Sequence, residues 1–139
     1  MKAIAATRIF DELPPMDEVL GRRVTVLGST GSIGVNTLDV IAHVRKLHGP
    51  DAMPIAALTA GGNVNLLIEQ ARAMKPALAV IGEEALLDEL KAGLAGTGVE
   101  AVAGRQAVIE AAARPSEFVM VAIMGAAAIE PALAAIRRG

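Results

Sequence analysis

A doubly wound α/β fold, with a parallel sheet of about five strands and helices on both faces, is predicted by three features of the sequence. Short apolar runs alternate with segments of helical periodicity along the chain. The apolar runs are continuous, which is typical of strands that are buried on both faces of a sheet. Repeated strand–helix alternation produces right-handed βαβ units, which place consecutive strands parallel to one another. The predicted strands are residues 23–27, 54–59, 78–81, 99–103 and 118–123.

A helix is predicted after each of these strands, where apolar residues recur at three- and four-residue spacing. The first helix follows the glycine-rich residues 27–34. Pro76 and Pro115 close the second and fourth segments, and Glu83-Glu84 suits the N-terminus of the third helix. The predicted apolar faces are Val64, Leu67, Ala71 and Met74 in the second helix, Leu86, Leu87, Leu90 and Leu94 in the third, Val108, Ile109 and Ala112 in the fourth, and Ile129, Leu133 and Ile136 in the last.

The composition excludes several classes of protein. Hydrophobic residues make up 53% of the 139-residue chain and charged residues 20%, which indicates a globular domain rather than a disordered segment. A net charge of -2 and 1% aromatic residues argue against nucleic-acid binding. There is no cysteine, so disulfides and thiolate metal sites are excluded. The longest apolar run, residues 118–129, is shorter than the ~20 residues that a membrane span needs.

The N-terminal residues form a separate segment in this interpretation. Residues 1–21 lack the apolar core of a secretory signal and carry acidic side chains, so we expect a cytoplasmic protein. Pro14-Pro15 is expected to prevent a helix there. The sequence thus predicts a peripheral lead-in over residues 1–21 and a single domain over residues 22–139.

The stretch LGSTGSIG, residues 27–34, predicts a phosphate site. It joins the first strand to the first helix, where helix-terminal N–H groups and the helix dipole favour a negative charge. Gly28 would allow a tight exit from the strand, Gly31 the approach of a pyrophosphate, and Gly34 the packing of the helix. The added hydroxyl donors are Ser29, Thr30 and Ser32.

These glycines have two alternative interpretations, a plain βα turn and a P-loop. The spacing is GxxGxxG rather than the common GxGxxG, so the glycines could simply shape a βα turn. A P-loop is excluded because Val35-Asn36, and not Lys-Ser or Lys-Thr, follow the last glycine. The βαβ context favours a Rossmann-like dinucleotide site over a plain turn.

The end of the second strand predicts the cofactor type. NAD-selective domains place an acidic residue there to bind the ribose 2′-hydroxyl, but this strand ends in TAGGN with no acid. Gly61, Gly62 and Asn63 precede a helix, and their amides could receive a 2′-phosphate, which favours NADP. The alternative is a flexible turn with Asn63 as the helix N-cap, and the two roles can coexist.

Small residues follow the fifth strand in AIMGAAA, residues 122–128. They would leave room for a cofactor, although core packing is the better explanation when this stretch is taken without the other two motifs. His43 and His48 do not share a helix face, so we expect both at the surface. The sequence therefore offers no catalytic residue and no set of metal ligands.

Taken together, the motifs resemble a known family. LGSTGSIG, TLDV, LTAGGNV, KPALAVIGEE and the C-terminal AIMGAAAIEPALAAIRRG are similar, in order and spacing, to the N-terminal domain of 1-deoxy-D-xylulose 5-phosphate reductoisomerase. Enzymes of that family convert 1-deoxy-D-xylulose 5-phosphate to 2-C-methyl-D-erythritol 4-phosphate, in the non-mevalonate route to isoprenoids. The resemblance implies NADPH as cofactor, a divalent metal (Mg or Mn) in the full-length enzyme, and a homodimer.

The resemblance also implies roles for individual residues. Residues 30–33 would hold the pyrophosphate, residues 61–63 the adenosine 2′-phosphate, and residues 122–123 would line the cofactor. Many family members carry Lys or Arg where Gly62 stands, so this chain lacks a charge-assisted contact there. The implied cofactor-binding residues are Thr30, Gly31, Ser32, Ile33, Gly61, Gly62, Asn63, Ala122 and Ile123.

The family's remaining motifs have no counterpart here. An Asn-Lys-Glu motif, the acidic metal ligands and the substrate-phosphate residues follow the helix that ends in AAIRRG in this family, and Gly139 precedes them all. The resemblance thus implies an N-terminal piece that is inactive by itself. The alternatives are a free-standing NADP-binding module and part of another NADP-dependent reductase, such as a semialdehyde dehydrogenase.

Overall fold

The computed structural model describes residues 15–138 and shows one parallel sheet. The strand order is β4-β3-β2-β1-β5, and every neighbouring pair runs parallel. The predicted fold class is confirmed, and each predicted strand overlaps an observed one. The strands are β1 (Val24–Leu27), β2 (Ile55–Ala60), β3 (Leu78–Ile81), β4 (Glu100–Ala103) and β5 (Phe118–Val121).

The helices occupy the predicted intervals. A 3-10 turn, Glu84–Leu86, precedes the third predicted helix, and another, Gly125–Ala128, precedes the last. The helices are α1 (Met16–Leu20), α2 (Ser32–His48), α3 (Val64–Met74), α4 (Leu87–Gly93), α5 (Arg105–Ala113) and α6 (Ile129–Arg138).

The sheet has two separately covered faces. Alternate strand residues belong to different clusters: Ala79 and Ile81 pack under α2, α3 and α4, whereas Leu78 and Val80 pack with Ala111 of α5. The chain steps from β1 outward to β4 and then returns to place β5 on the other side of β1. This reversal puts α5 and α6 on the second face, where they pack against each other. In doubly wound sheets, ligands bind at such a reversal, at the carboxyl ends of the strands.

The three inner strands form the dry centre of the domain. All residues of β1, β2 and β3 are buried, and Val26, Leu58 and Val80 are fully enclosed. Each such side chain contributes roughly 1.5–3 kcal/mol by leaving water. The prediction of burial on both faces is wrong for β4 and β5, which are partly exposed. Each of these two strands has only one neighbour among the described residues, so it lies at an edge of the sheet.

The expectation of no helix after Pro14-Pro15 is wrong for Met16–Leu20. Pro15 precedes α1 with φ -55°, and its carbonyl accepts from the Val19 amide at 3.1 Å. A proline disrupts the interior of a helix, but at the N-terminal end its missing N–H costs nothing. The rest of the predicted lead-in, residues 1–14, lies outside the described residues.

The last helix differs from expectation in what its apolar face contacts. Ile129, Leu133 and Ile136 are 59%, 42% and 72% exposed, and Pro131 is the buried residue of α6. The stripe predicted a helix correctly, but the described part of the chain does not cover that face. Among residues 15–138, no helix combines the length and the apolar character that a membrane crossing requires.

A charged contact joins the starts of β1 and β5. The guanidinium of Arg23 donates to both carboxylate oxygens of Glu117, at 3.2 and 3.0 Å, and the Arg23 amide donates to Oε2 at 2.7 Å. These hydrogen bonds hold the pKa of the Glu117 carboxyl at about 2, below its usual 4.5. The contact fixes the amino edge of the sheet, opposite the carboxyl ends of the strands.

This lowered pKa predicts how stability depends on pH. Because folding depresses the pKa, the contact stabilises the fold above pH 4.5 and is lost as the pH falls toward about 2. Glu117→Gln should therefore lower Tm at pH 7, and its Tm deficit should shrink between these pH values. Glu110→Gln, an exposed change on α5, is the control. A deficit for Glu117→Gln that stays constant across this range in thermal melts would contradict the assignment.

Candidate functional site

The glycine-rich turn is held by backbone contacts at the carboxyl edge of the sheet. Gly28 has φ +82°, and its amide donates to the Thr59 carbonyl at 3.0 Å. The Ser29 amide donates to the same carbonyl at 2.8 Å. A Cβ on Gly28 would lie 2.9 Å from the carbonyl carbon and oxygen of Ala122. Both the positive φ and the close approach of two backbones require glycine, so its predicted role in the strand exit is confirmed.

Gly34 allows α2 to lie directly on this turn. A Cβ there would collide with the Gly28 carbonyl oxygen and come within 2.6 Å of the Ser29 Cα. These contacting atoms are backbone, so they cannot rotate away as a side chain would. The predicted packing role of Gly34 is therefore confirmed.

Gly31 is different, because nothing among residues 15–138 requires glycine at that position. Its backbone is extended (φ -77°, ψ 172°), and an added Cβ would meet only the Gly28 oxygen, at 3.9 Å. The residue is exposed and precedes the first residue of α2. The missing side chain thus leaves open space on the outside of the turn.

The first turn of α2 presents free backbone donors beside this space. Gly31 makes no side-chain cap, and the amides of Ser32, Ile33 and Gly34 have no acceptor in the described part of the chain. Unpaired amides and the helix dipole together favour an anion at this position. Thr30 is half-buried, whereas Ser32 and Ile33 are exposed. The structure therefore places the four predicted residues side by side at the open, uncapped start of α2.

Ser29 does not take part, contrary to the sequence-based expectation of a hydroxyl donor. Its side chain is buried, and its Oγ donates to the Gln70 Oε1 at 2.7 Å. The Gln70 Nε2 donates in return to the Ser29 carbonyl at 2.8 Å. This reciprocal pair ties the turn to α3. Sequence reasoning missed Gln70 because it is far away along the chain and lies inside a regular helix.

The second predicted segment lies at the end of β2. Gly61, Gly62 and Asn63 are all exposed, and no Cβ contact within 4 Å would oppose a side chain at Gly61. The Asn63 Oδ1 accepts from the Leu66 amide at 3.2 Å, which confirms its role as the N-cap of α3. This cap leaves the Asn63 side-chain amide group available for a ligand.

A carboxylate lies at this turn although β2 does not supply one. The Glu83 Oε1 lies 3.1 Å from where a Cβ of Gly62 would be. Glu83 follows β3, and neighbouring parallel strands end at the same edge of a sheet. The end of β2 carries no acid, as the sequence indicated, but β3 brings a carboxylate to the same place. The sequence predicts Glu83-Glu84 as the start of a helix. That the pair directly follows a strand is the signal that could have indicated a role at the carboxyl edge.

The third predicted segment completes a cavity of about 190 Å³ at this edge. The Ala122 amide donates to the Leu27 carbonyl at 2.8 Å, which continues the β1–β5 pairing and delivers Ile123 to the cavity wall. Arg105 lines the same cavity and pairs with Glu130 at 3.3 Å. The other lining residues are Gly28, Thr59, Ala60, Gly61, Gly82, Val108, Ala127 and Pro131.

The opposite edge of the sheet has a larger cavity, of about 1100 Å³, which is less suitable for an anionic ligand. Arg45 lines it, and its guanidinium donates to the carbonyls of Ala52 and Met53 at 2.9 and 3.1 Å and to that of Met74 at 2.6 Å. These bonds engage the cation in structural contacts, and burial lowers its pKa. Both histidines are exposed, as expected, and residues 15–138 contain no group of three or more His, Asp or Glu side chains placed to hold a metal ion. The carboxyl edge is therefore the candidate site.

Comparisons with known proteins identify relatives of this chain. Residues 24–139 match the sequence model of 1-deoxy-D-xylulose 5-phosphate reductoisomerase. A protein of that name from Rhizobium rhizogenes is 57% identical over 118 residues, which are 85% of this chain and 29% of the relative. The Zymomonas mobilis reductoisomerase in complex with NADPH has a TM-score of 0.78 and 44% identity, covering 84% of this chain and 30% of that one.

A further solved reductoisomerase, in complex with NADPH, fosmidomycin and magnesium, has a TM-score of 0.72 and 29% identity. The match covers 85% of this chain and 28% of that reductoisomerase. The chain thus spans less than a third of the length of the reductoisomerases that it matches. The resemblance seen in the sequence motifs is confirmed.

The packing at Gly34 predicts a stability effect. Gly34→Ala should lower the free energy of unfolding by about 1–3 kcal/mol, because the added methyl forces two backbone segments apart. Helix propensity alone would make the alanine variant more stable by about 1 kcal/mol. A lower Tm would therefore be evidence for the steric clash. Gly31→Ala is the matched control, since its methyl would meet only ordinary contacts. Equal melting temperatures for Gly34→Ala and the unchanged chain would show that α2 does not rest on the turn.

Proposed function

Because the chain belongs to the 1-deoxy-D-xylulose 5-phosphate reductoisomerase family, we propose that residues 22–139 form its NADPH-binding domain, preceded by a lead-in of residues 1–21. The observation that carries this proposal is the uncapped start of α2, where the open space at Gly31 lies beside free amides next to the reversal of strand order. The Zymomonas mobilis relative, which shares this fold, holds NADPH.

The cofactor would lie across the carboxyl edge of the sheet. The pyrophosphate would bind at residues 30–33, mainly through backbone amides. The dipole of α2 would stabilise its negative charge by roughly 0.3–1 kcal/mol. The adenosine 2′-phosphate end would lie at residues 61–63, with the side chain of Asn63 and the backbone of the two glycines as its contacts. Residues 122–123 would line the nicotinamide half, because they follow β5 on the other side of the strand reversal.

Membership of the family supports a proposal for the activity of the whole protein. We propose that it converts 1-deoxy-D-xylulose 5-phosphate to 2-C-methyl-D-erythritol 4-phosphate in isoprenoid biosynthesis, with Mg²⁺ or Mn²⁺, as a cytoplasmic homodimer. NADPH would supply the hydride for the reduction. The residues of this chain would bind and orient that cofactor, and they would keep its reactive ring at the edge where a substrate can approach.

The proposed contact at Gly31 predicts a loss of binding without a loss of stability. Gly31→Val should weaken NADPH binding by roughly tenfold or more, equivalent to ~1.4 kcal/mol, because the side chain fills the space for the pyrophosphate. Its Tm should stay close to that of the unchanged chain, since the position is open. Gly21→Val at the other end of β1 is the control and should leave calorimetric binding unchanged. Retained binding with a collapsed Tm would make the glycine structural.

A second test concerns turnover. The 139-residue chain should bind NADPH without oxidising it when 1-deoxy-D-xylulose 5-phosphate and Mg²⁺ are added. Its relatives devote more than two thirds of their length to segments without a counterpart here, and hydride transfer needs substrate and cofactor held together, which is worth ~7–11 kcal/mol. Absorbance at the NADPH band is the readout, with a full-length reductoisomerase as the positive control. Substrate-dependent oxidation by the chain would contradict this division of roles.

A further inference from the structure

We propose that Glu83 sets the balance between NADPH and NADH at this site, by placing a carboxylate where the adenosine 2′-group would lie. This inference rests on the proposed function, since it assigns a specificity-determining residue to the same cofactor site. The residue comes from the neighbouring strand, and the end of β2 itself carries no acid.

The backbone fixes Glu83 beside the β2 exit. Ala60 of β2 is in register with Ile81 of β3, and the pairing continues beyond both strands. The Gly82 amide donates to the Ala60 carbonyl at 2.7 Å, and the Glu83 amide donates to the Gly61 carbonyl at 3.0 Å. Because two successive hydrogen bonds hold the segment, the backbone of Glu83 is fixed beside the exit of β2, within reach of Gly62.

The side chain then covers the glycine that precedes α3. Its carboxylate oxygens lie 3.1 and 3.7 Å from where a Cβ on Gly62 would be, and its carboxyl carbon lies 3.3 Å away. A side chain larger than hydrogen at position 62 would displace the carboxylate. Among the ion pairs and side-chain hydrogen bonds of residues 15–138, none involves the Glu83 carboxylate, so no described cation neutralises it. Glycine at 62 is therefore what lets this acid reach the start of α3.

The location gives the carboxylate a known chemical task. Dinucleotide folds selective for NAD place an acid at the end of the second strand, where it accepts a hydrogen bond from the ribose 2′-hydroxyl. Glu83 reaches the same end of β2 from β3. A 2′-phosphate there would carry close to two negative charges and would compete with the carboxylate for the positive end of the α3 dipole. Glu83 thus favours a 2′-hydroxyl and opposes a 2′-phosphate.

Glu84 provides a matched control one residue away. It is also exposed, but its carboxylate oxygen lies 2.8 Å from where a Cβ of Gly104 would be, at the start of α5. Glu83→Gln and Glu84→Gln remove the same charge from the same turn, and they differ in which helix start loses it. A general effect of net charge would appear in both variants.

The test is calorimetric titration of the 139-residue chain with NADPH and with NADH, at low and at high salt. In Glu83→Gln, the affinity for NADPH relative to NADH should rise roughly fivefold at low salt and less at high salt, because screening weakens the repulsion that the substitution removes. In Glu84→Gln, the ratio should remain within about twofold of the unchanged chain. Thermal melts of all three proteins establish that each is folded.

An unchanged ratio in Glu83→Gln, or an equal rise in both variants, would overturn the inference while leaving the proposed function intact. An unchanged chain that binds neither dinucleotide would overturn both. A rise confined to Glu83→Gln would establish Glu83 as the residue that restrains the preference for the phosphorylated cofactor.

Discussion

The contact on which the site depends is the close approach of three backbones at the turn between β1 and α2. Gly28 lies against the Ala122 carbonyl, its amide bonds to Thr59, and Gly34 presses α2 onto the same turn. A side chain at Gly28 would push the turn away from the backbone that follows β5, and one at Gly34 would push α2 away from the turn. Because these ends converge, the start of α2 faces outward, and its amides are left for a ligand rather than for the protein.

The two edges of the sheet are built by opposite means. At the amino edge, Arg23 donates hydrogen bonds to Glu117, and Arg45 donates to three backbone carbonyls. Both guanidinium groups are therefore engaged within the protein. At the carboxyl edge, α2 begins without a side-chain cap, whereas α3 begins at the cap residue Asn63, which follows two glycines. The start of α2 has no acidic residue in its first turn, whereas Glu83 lies over the residue before α3's cap. The first position would therefore suit the pyrophosphate of the proposed cofactor, and the second would discriminate between ribose substituents.

Much of this arrangement could be predicted from local sequence patterns. Continuous apolar runs gave all five strands to within two residues at either end, since buried parallel strands leave a strong signal. The glycine spacing located the turn, because close backbone contacts with adjacent segments require glycine at positions 28 and 34. The cap at Asn63 was likewise a local feature, readable from one residue and the helix that follows it.

What could not be predicted depends on contacts between distant segments. The sequence predicts the Ser29 hydroxyl as a ligand donor, but in the structure it donates to Gln70 of α3. The acid at the β2 exit comes from β3, a relation that appears only when both strands are placed in register. Burial failed at β4, β5 and the outer face of α6 because periodicity reports the type of element and not whether a neighbour covers it.

Backbone amide NMR of the 139-residue chain titrated with NADPH tests the central claim most directly. If the pyrophosphate binds at the uncapped start of α2, the largest shifts should fall on the amides of residues 30–34, followed by residues 61–63 and 122–123. The amides of Ala73, Met74, Lys75 and Ala77, which line the cavity at the amino edge, should stay nearly unchanged. Dominant shifts at the amino edge, or no shift at residues 30–34 on saturation, would contradict the account.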